Sequence, residues 1–185
     1  MGLKRDIAEL ALLAAVIGGL YAAMVVYMGN AEPLMIVTTG SMEPKIEPGW
    51  IVVVKSIAAS SIRPGDVIAY WSTNPEFKDP IVHQVIVVNH VNGQLSFVTW
   101  GIANPPQYPD NVTWPGYAQS LEPSTGIPQS RVIGKVIMII PYVGRFLLFL
   151  RQPPIYATLL LLFVGLLAYD ALIERKKEGS LSALS

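Results

Sequence analysis

IVHQVIVVNHVNGQLSFVTW, residues 81–100, holds two runs rich in β-branched and aromatic residues on either side of Asn92-Gly93. Asn-Gly between such runs is the strongest short-range hairpin signal, because a type I′ turn needs positive φ at both central residues. The stretch therefore predicts two antiparallel strands, Ile81–Val91 and Gln94–Trp100. A two-residue turn also sets the register: Val91 opposite Gln94, His90 opposite Leu95, Val87 opposite Val98 and His83 opposite Ile102. His83 then shares its face with Ile81, Val85 and Val87. Seven residues of strand then place His83 and His90 on opposite faces, roughly 23 Å apart.

Outward from the hairpin, Trp50–Lys55, Asp66–Trp71 and Arg131–Ile140 read as further strands, punctuated by Pro48-Gly49, Pro64-Gly65 and Pro105-Pro106. This β-rich middle is flanked by two apolar stretches. Leu10 to Met28 is nineteen uncharged residues, about 28 Å as a helix and close to the ~30 Å hydrocarbon thickness. Lys4 and Arg5 precede it, as in a cleavable signal peptide, but such apolar regions usually run only ~7–15 residues, so a retained anchor is expected. The second stretch follows Pro153-Pro154, stays uncharged from Ile155 to Tyr169 and ends before Glu174, Arg175, Lys176 and Lys177. With its flanks it is expected to span the membrane. Basic residues outside both spans predict cytoplasmic termini. The expected organisation is a cytoplasmic N-terminus and first span at 1–28, an extracytoplasmic β-rich domain at 29–152, a second span at 153–173 and a cytoplasmic tail at 174–185. Gly144 to Arg151, with Phe146 to Leu150 between two arginines, suits a segment at the membrane surface, and equally a packed core segment.

Composition agrees with a lipid-associated chain: 52% of the 185 residues are hydrophobic and 14% charged, against about 25% charged in a typical soluble domain. Thirteen basic and thirteen acidic residues balance, so nothing global favours nucleic acid. The absence of cysteine excludes disulfides, thiolate zinc sites and a cysteine nucleophile, and two histidines make a multi-histidine metal centre a poor fit. No metal or cofactor is expected.

Chemistry-bearing residues concentrate in three places. Thr38-Thr39-Gly40-Ser41-Met42-Glu43-Pro44 follows the first span by about a dozen residues, which keeps Ser41 near the membrane surface. By itself this is also a plain turn or helix cap. A serine hydroxyl needs a base to become a nucleophile. His90 sits beside the turn, whereas His83 ends an apolar face next to the long loop from Gly101 to Gly116, which makes it the better candidate. That loop offers Asp110, with Asn104 close by, to orient the histidine; Asp66 and Asp79 lie in turn contexts. A simple turn aspartate ahead of Asn111 fits Asp110 nearly as well. Asn111-Val112-Thr113 is also a glycosylation sequon.

The pattern resembles type I signal peptidases, in the Ser/His branch of archaea and the endoplasmic reticulum. Gly-Ser-Met-Glu-Pro at 40–44 is similar to the family's nucleophile box, Arg63-Pro64-Gly65-Asp66-Val67-Ile68 to its Arg-Gly-Asp-Val-Ile box, Val82-His83-Gln84-Val85-Ile86 to its histidine strand, and Val132-Ile133-Gly134-Lys135-Val136 to its closing strand. The resemblance runs from the first span to about Gly144. It implies a mainly β catalytic domain of the signal-peptidase-like all-β fold with an N-terminal and a C-terminal transmembrane helix. It further implies a serine endopeptidase of the cell membrane with Ser41 as nucleophile and His83 as base, where bacterial relatives have lysine. Asp110 takes the acidic place, displaced by about two residues from the family's later aspartate, and Ile102 stands where the family has its first aspartate. Thr39, in place of the usual serine, is assigned with the Ser41 backbone N–H to the oxyanion hole. Implied partners are preprotein signal peptides with small residues one and three positions before the cut, the lipid bilayer and the secretion machinery. Two rivals stand beside this reading: a non-catalytic, membrane-tethered β domain that binds an exported partner, and a peptidase using Lys45 or Lys55 as base.

Overall fold

The computed structural model describes residues 3–113 and 119–182. The last three positions of the predicted loop 101–116 and the end of the predicted tail lie outside the described residues. So do the side chains of Lys4 and of 174–177, on which the predicted orientation partly rests. Residues 24–146 form one compact unit, and the helical stretches up to Ala23 and from Leu147 onward form another.

The first unit is built on one seven-stranded sheet. Its strands are β1 (Leu34–Ile36), β2 (Ile51–Lys55), β3 (Val67–Tyr70), β4 (Ile81–Val91), β5 (Gln94–Trp100), β6 (Ile127–Pro128) and β7 (Val132–Ile140). They lie in the order β1-β2-β7-β3-β4-β5-β6 with antiparallel neighbours throughout. The last strand in the chain thus inserts between β2 and β3. Four buried residues in β3 show why a continuous apolar run belongs there. Alternation sends Val67 and Ala69 into a core with Val37, Met42, Ile46, Val52 and Val54, and Ile68 and Tyr70 into a second core with Ile62, Val85, Phe97 and Ile127. His83 pairs with Ile68 and therefore faces the second core.

The turn of the β4–β5 hairpin follows the sequence reading: Asn92 and Gly93 have φ of 50° and 79°, as a type I′ turn requires. Register also agrees from Val91–Gln94 through His90–Leu95 to Val87–Val98. A bulge then intervenes between Val85 and Val87, so that Val85 pairs with Thr99 and Gln84 with Trp100. Continued in this register, His83 comes level with Gly101, which corrects the expected pairing with Ile102. The extra residue also reverses the alternation of every side chain beyond it. Val87 is 44% exposed, while Val88 packs against the second core beside Val85. His90, opposite Leu95 of that same core, shares the face of His83 and is exposed at the turn end. Ile102 packs against the first core, so its methyl groups occupy apolar space.

In the helical part, α1 (Leu3–Met28) contains Arg5–Met28, with a mean hydropathy of 2.2 and length enough to cross a membrane. Its last residues, 24–28, belong to the sheet unit, where Ser56 N–H bonds the Met28 carbonyl at 2.8 Å and the Lys55 ammonium lies 4.2 Å from the Tyr27 ring centre. The expected second span at 153–173 lies within a single helix. Helix α3 (Pro153–Ser182) passes the same length and hydropathy test only over Pro153–Tyr169 combined with α2 (Val143–Leu150), and the two are bent by 75°. In α2, Gly144 is buried and Arg145 bonds the Glu47 carboxylate and the Pro48 carbonyl, while Phe146 to Phe149 are exposed, so this segment is not a core segment.

Candidate active site

Ser41 stands at the start of a tight turn that contains the cis Glu43–Pro44 peptide bond. Glu43 N–H bonds the Gly40 carbonyl and Ile46 N–H the Met42 carbonyl, each at 3.0 Å. Met42 and Ile46, both from that turn, are fully buried in the first core. Burying two such side chains contributes about 1.5–3 kcal/mol each, which fixes the turn while leaving Ser41 itself half-buried. From the other side, Ala103 N–H holds the Ser41 carbonyl at 2.9 Å. The chain approaches so closely here that a Cβ on Gly101 would lie 2.8 Å from both the Ser41 carbonyl oxygen and His83 Nε2. Only glycine fits that position.

The structure brings Ser41, His83 and Asp110 into one hydrogen-bonded row. Ser41 Oγ lies 2.9 Å from His83 Nε2, and His83 Nδ1 lies 2.5 Å from Asp110 Oδ2. His83 is 4% exposed and Asp110 fully buried. A buried carboxylate on Nδ1 fixes that nitrogen as the N–H donor and leaves Nε2 as the acceptor facing the serine. The same Asp110 oxygen also receives the Thr99 hydroxyl at 2.5 Å and the Tyr70 hydroxyl at 3.1 Å. Backbone bonds hold the aspartate in place: its N–H reaches the Thr99 carbonyl and its carbonyl accepts Glu122 N–H.

Tyr70, Thr99 and Glu122 were not found by sequence reasoning. Thr99 follows from strand parity once the bulge is known, since it pairs with Val85, two residues from His83. Tyr70 carries the signal of a polar tip at the end of an apolar strand. Glu122 lies in the stretch between β5 and β6 and shows no pattern at all. Its carboxyl group is fully buried, accepting Thr99 N–H at 2.9 Å and Ile127 N–H at 3.2 Å, with Thr99 Oγ1 at 3.4 Å. Burial, aided by the nearby Asp110 carboxylate and opposed by the two N–H bonds, pushes Glu122 up to about 8. Burial, then Asp110 and Glu122, also hold the Tyr70 hydroxyl well above its ordinary 10.0, so it remains a donor.

The other expected residues fall as follows. Thr39 is exposed, with its hydroxyl 3.4 Å from Ser41 Oγ, on the nucleophile's side of the row. Lys45 reaches Gln84 at 3.2 Å, and Lys55 lies over the Tyr27 ring. His90 stays at the hairpin turn. Asp66 accepts Arg63 N–H within its turn and meets Lys135 at 2.7 Å. Burial raises the Asp66 carboxyl, but the Lys135 bond, the Arg63 N–H and the two positive charges outweigh it and leave the group below its ordinary 3.8. Asn111 donates its amide to the Ser124 carbonyl at 2.9 Å. Among the described residues, no three histidine, aspartate or glutamate side chains are grouped to hold a metal ion.

No protein-family model matches the chain. It is similar to the signal peptidase complex catalytic subunit SEC11C of Homo sapiens, 26% identical over 147 residues, which are 79% of this chain and 71% of that protein. The SEC11C subunit of Rattus norvegicus is 25% identical over the same length. The signal peptidase complex catalytic subunit SEC11 of Schizophyllum commune is 25% identical over 171 residues, 82% of this chain and 80% of that protein. Modest identity extended over most of each chain makes this protein a homologue of the signal peptidase complex catalytic subunits.

Proposed function

We propose that this chain is a membrane-anchored serine endopeptidase that removes signal peptides from exported preproteins. The observation that carries the reading is the row Ser41 Oγ, His83 Nε2, His83 Nδ1, Asp110 Oδ2, with contacts of 2.9 and 2.5 Å. His83 takes the hydroxyl proton as Ser41 attacks the carbonyl at the end of the signal sequence, and returns it to the leaving amine. Water, activated by the same histidine, then hydrolyses the acyl-enzyme. The Ser41 N–H and the Thr39 hydroxyl meet the charge that develops on the carbonyl oxygen, each such donor being typically worth ~3 kcal/mol. Asp110 orients the imidazole and stabilises its charged form.

The relatives' names supply the substrate class, signal peptides, and the setting of a complex with further subunits. Helix α1 is the anchor in this reading, with the β unit outside the cell membrane, both termini in the cytoplasm and the bent α2–α3 pair as a second span. Cleavage of a preprotein by the purified full-length protein in detergent tests the proposal. Ser41→Ala and His83→Ala should each lower the rate by 10³-fold or more, and Asp110→Asn by on the order of 10³. Full cleavage by the Ser41 variant refutes the peptidase reading, and full cleavage by the His83 variant refutes the Ser/His mechanism.

A further inference from the structure

Behind the proposed triad lies a second carboxyl group that the mechanism does not use. Glu122 is fully buried, and among the described residues no lysine, arginine or histidine pairs with it. Its backbone N–H holds the Asp110 carbonyl at 3.1 Å, and one carboxyl oxygen holds Thr99 N–H at 2.9 Å. Its other carboxyl oxygen faces the Thr99 hydroxyl, which in turn is 2.5 Å from the Asp110 oxygen that receives His83. The groups that face it are Thr99 of β5, Asp110 and, by charge, Tyr70 of β3, with His83 of β4 one bond further on.

We propose that Glu122 is a positioning residue for the triad, its carboxyl group acting through the Thr99 hydroxyl to hold the Asp110 carboxylate against His83. The proposal rests on the peptidase reading above and deepens it. A count of protons gives the reason. The Thr99 hydroxyl carries one hydrogen, and two carboxyl groups lie beside it. While Glu122 is a neutral acid, it donates to the Thr99 oxygen, and the Thr99 hydrogen goes to Asp110. Once Glu122 ionises, two acceptors compete for a single hydrogen, and a second negative charge stands in the same buried cluster. Asp110 then loses a donor, and the imidazole loses its fixed orientation. Burial holds Glu122 up at about 8, so it keeps its proton at neutral pH and releases it just above.

The test compares full-length wild type, Glu122→Gln and Glu122→Ala in detergent, with Ser41→Ala as the control for the peptidase reading. For the wild type kcat should fall along an alkaline limb with a midpoint near pH 8. Glu122→Ala should lose about tenfold or more in kcat at pH 7 with KM unchanged, the usual result of leaving the buried Thr99 and Ile127 N–H donors without an acceptor. Glu122→Gln keeps an acceptor for Thr99 N–H and supplies an amide donor, so it should recover most of that loss and lack the limb. The second readout needs no turnover: the low-field proton resonance of His83 Nδ1–H should shift with a midpoint near pH 8 in the wild type and stay put in Glu122→Gln. An unchanged limb and an unchanged resonance shift in Glu122→Gln overturn the proposal. Full cleavage by Ser41→Ala, with the resonance behaving as described, overturns the peptidase reading alone.

Discussion

Glu122→Gln also has a consequence for folding that can be worked from the structure. In the unfolded chain the carboxyl group titrates at its ordinary 4.5, and in the fold, where burial opposes the charge, at about 8. Between these values the folded chain holds a proton that the unfolded chain has released, so each rise in pH favours unfolding. The contribution is therefore complete below pH 4.5, declines through the interval and is gone above pH 8. At 1.36 kcal/mol per pH unit the interval amounts to about 5 kcal/mol at most, a large share of the 5–15 kcal/mol that holds a typical domain together. Glutamine carries no titrating proton and removes this slope. Its amide nitrogen would face Ile127 N–H, a fixed cost of about 1 kcal/mol that displaces the whole curve without tilting it. Thermal unfolding followed by near-UV circular dichroism should show the variant close to the wild type at pH 4 and clearly more stable at pH 8.5. For a chain of this size each kcal/mol moves Tm by about 2–4 °C, so the gap should open by roughly 10–20 °C across the range. A gap that stays constant with pH would show that Glu122 is not held as a neutral acid.

Three further outcomes follow from local geometry. Gly101→Ala should lower kcat by about a hundredfold, since a Cβ there would push on both Ser41 and His83 and a displacement of ~1 Å is enough for such a loss; a melting curve run in parallel separates this from unfolding. Asp66→Asn should destabilise by no more than about 1 kcal/mol at pH 7, because Lys135 is a third exposed. That difference should close as the pH falls through and below 3.8, where the depressed Asp66 carboxyl takes up its proton and its contribution is lost. Lys55→Ala should leave cleavage within about threefold of the wild type, as its ammonium covers Tyr27 and not the serine; a loss of a thousandfold would return lysine to consideration as the base.

How far the sequence disclosed this arrangement depends on how local each signal is. Two strands of the hairpin were legible to the residue, because Asn92-Gly93 dictates the turn and β-branched runs dictate the strands. Strands β1 and β6, with three and two residues, are too short to leave a periodic trace. Ser41 and His83 were legible through motifs that lie within a few residues of each. Asp110 was reachable because one loop offered one carboxylate. Glu122 was not, since its environment is assembled by β3, β5 and β6, which no window of neighbouring residues contains. The bulge likewise depends on which face must be buried on both sides of it, a fact of the whole sheet.

That bulge divides the hairpin into two halves with different freedoms. Toward the turn, from Val87 to Val98, the pairing is regular, and two residues could be added or removed symmetrically without changing which side chains face the core. Toward Trp100 the strand is out of step by one residue, and only this offset lets Val88, Val85 and His83 share a face with Phe97 and Thr99. The same chain paired as a straight ladder, with Ile86 opposite Thr99, would form a more regular hairpin with an intact turn. Its histidine would point to the other side of the sheet. An engineer shortening or grafting this hairpin must therefore keep the bulge together with Ile86 or remove both at once.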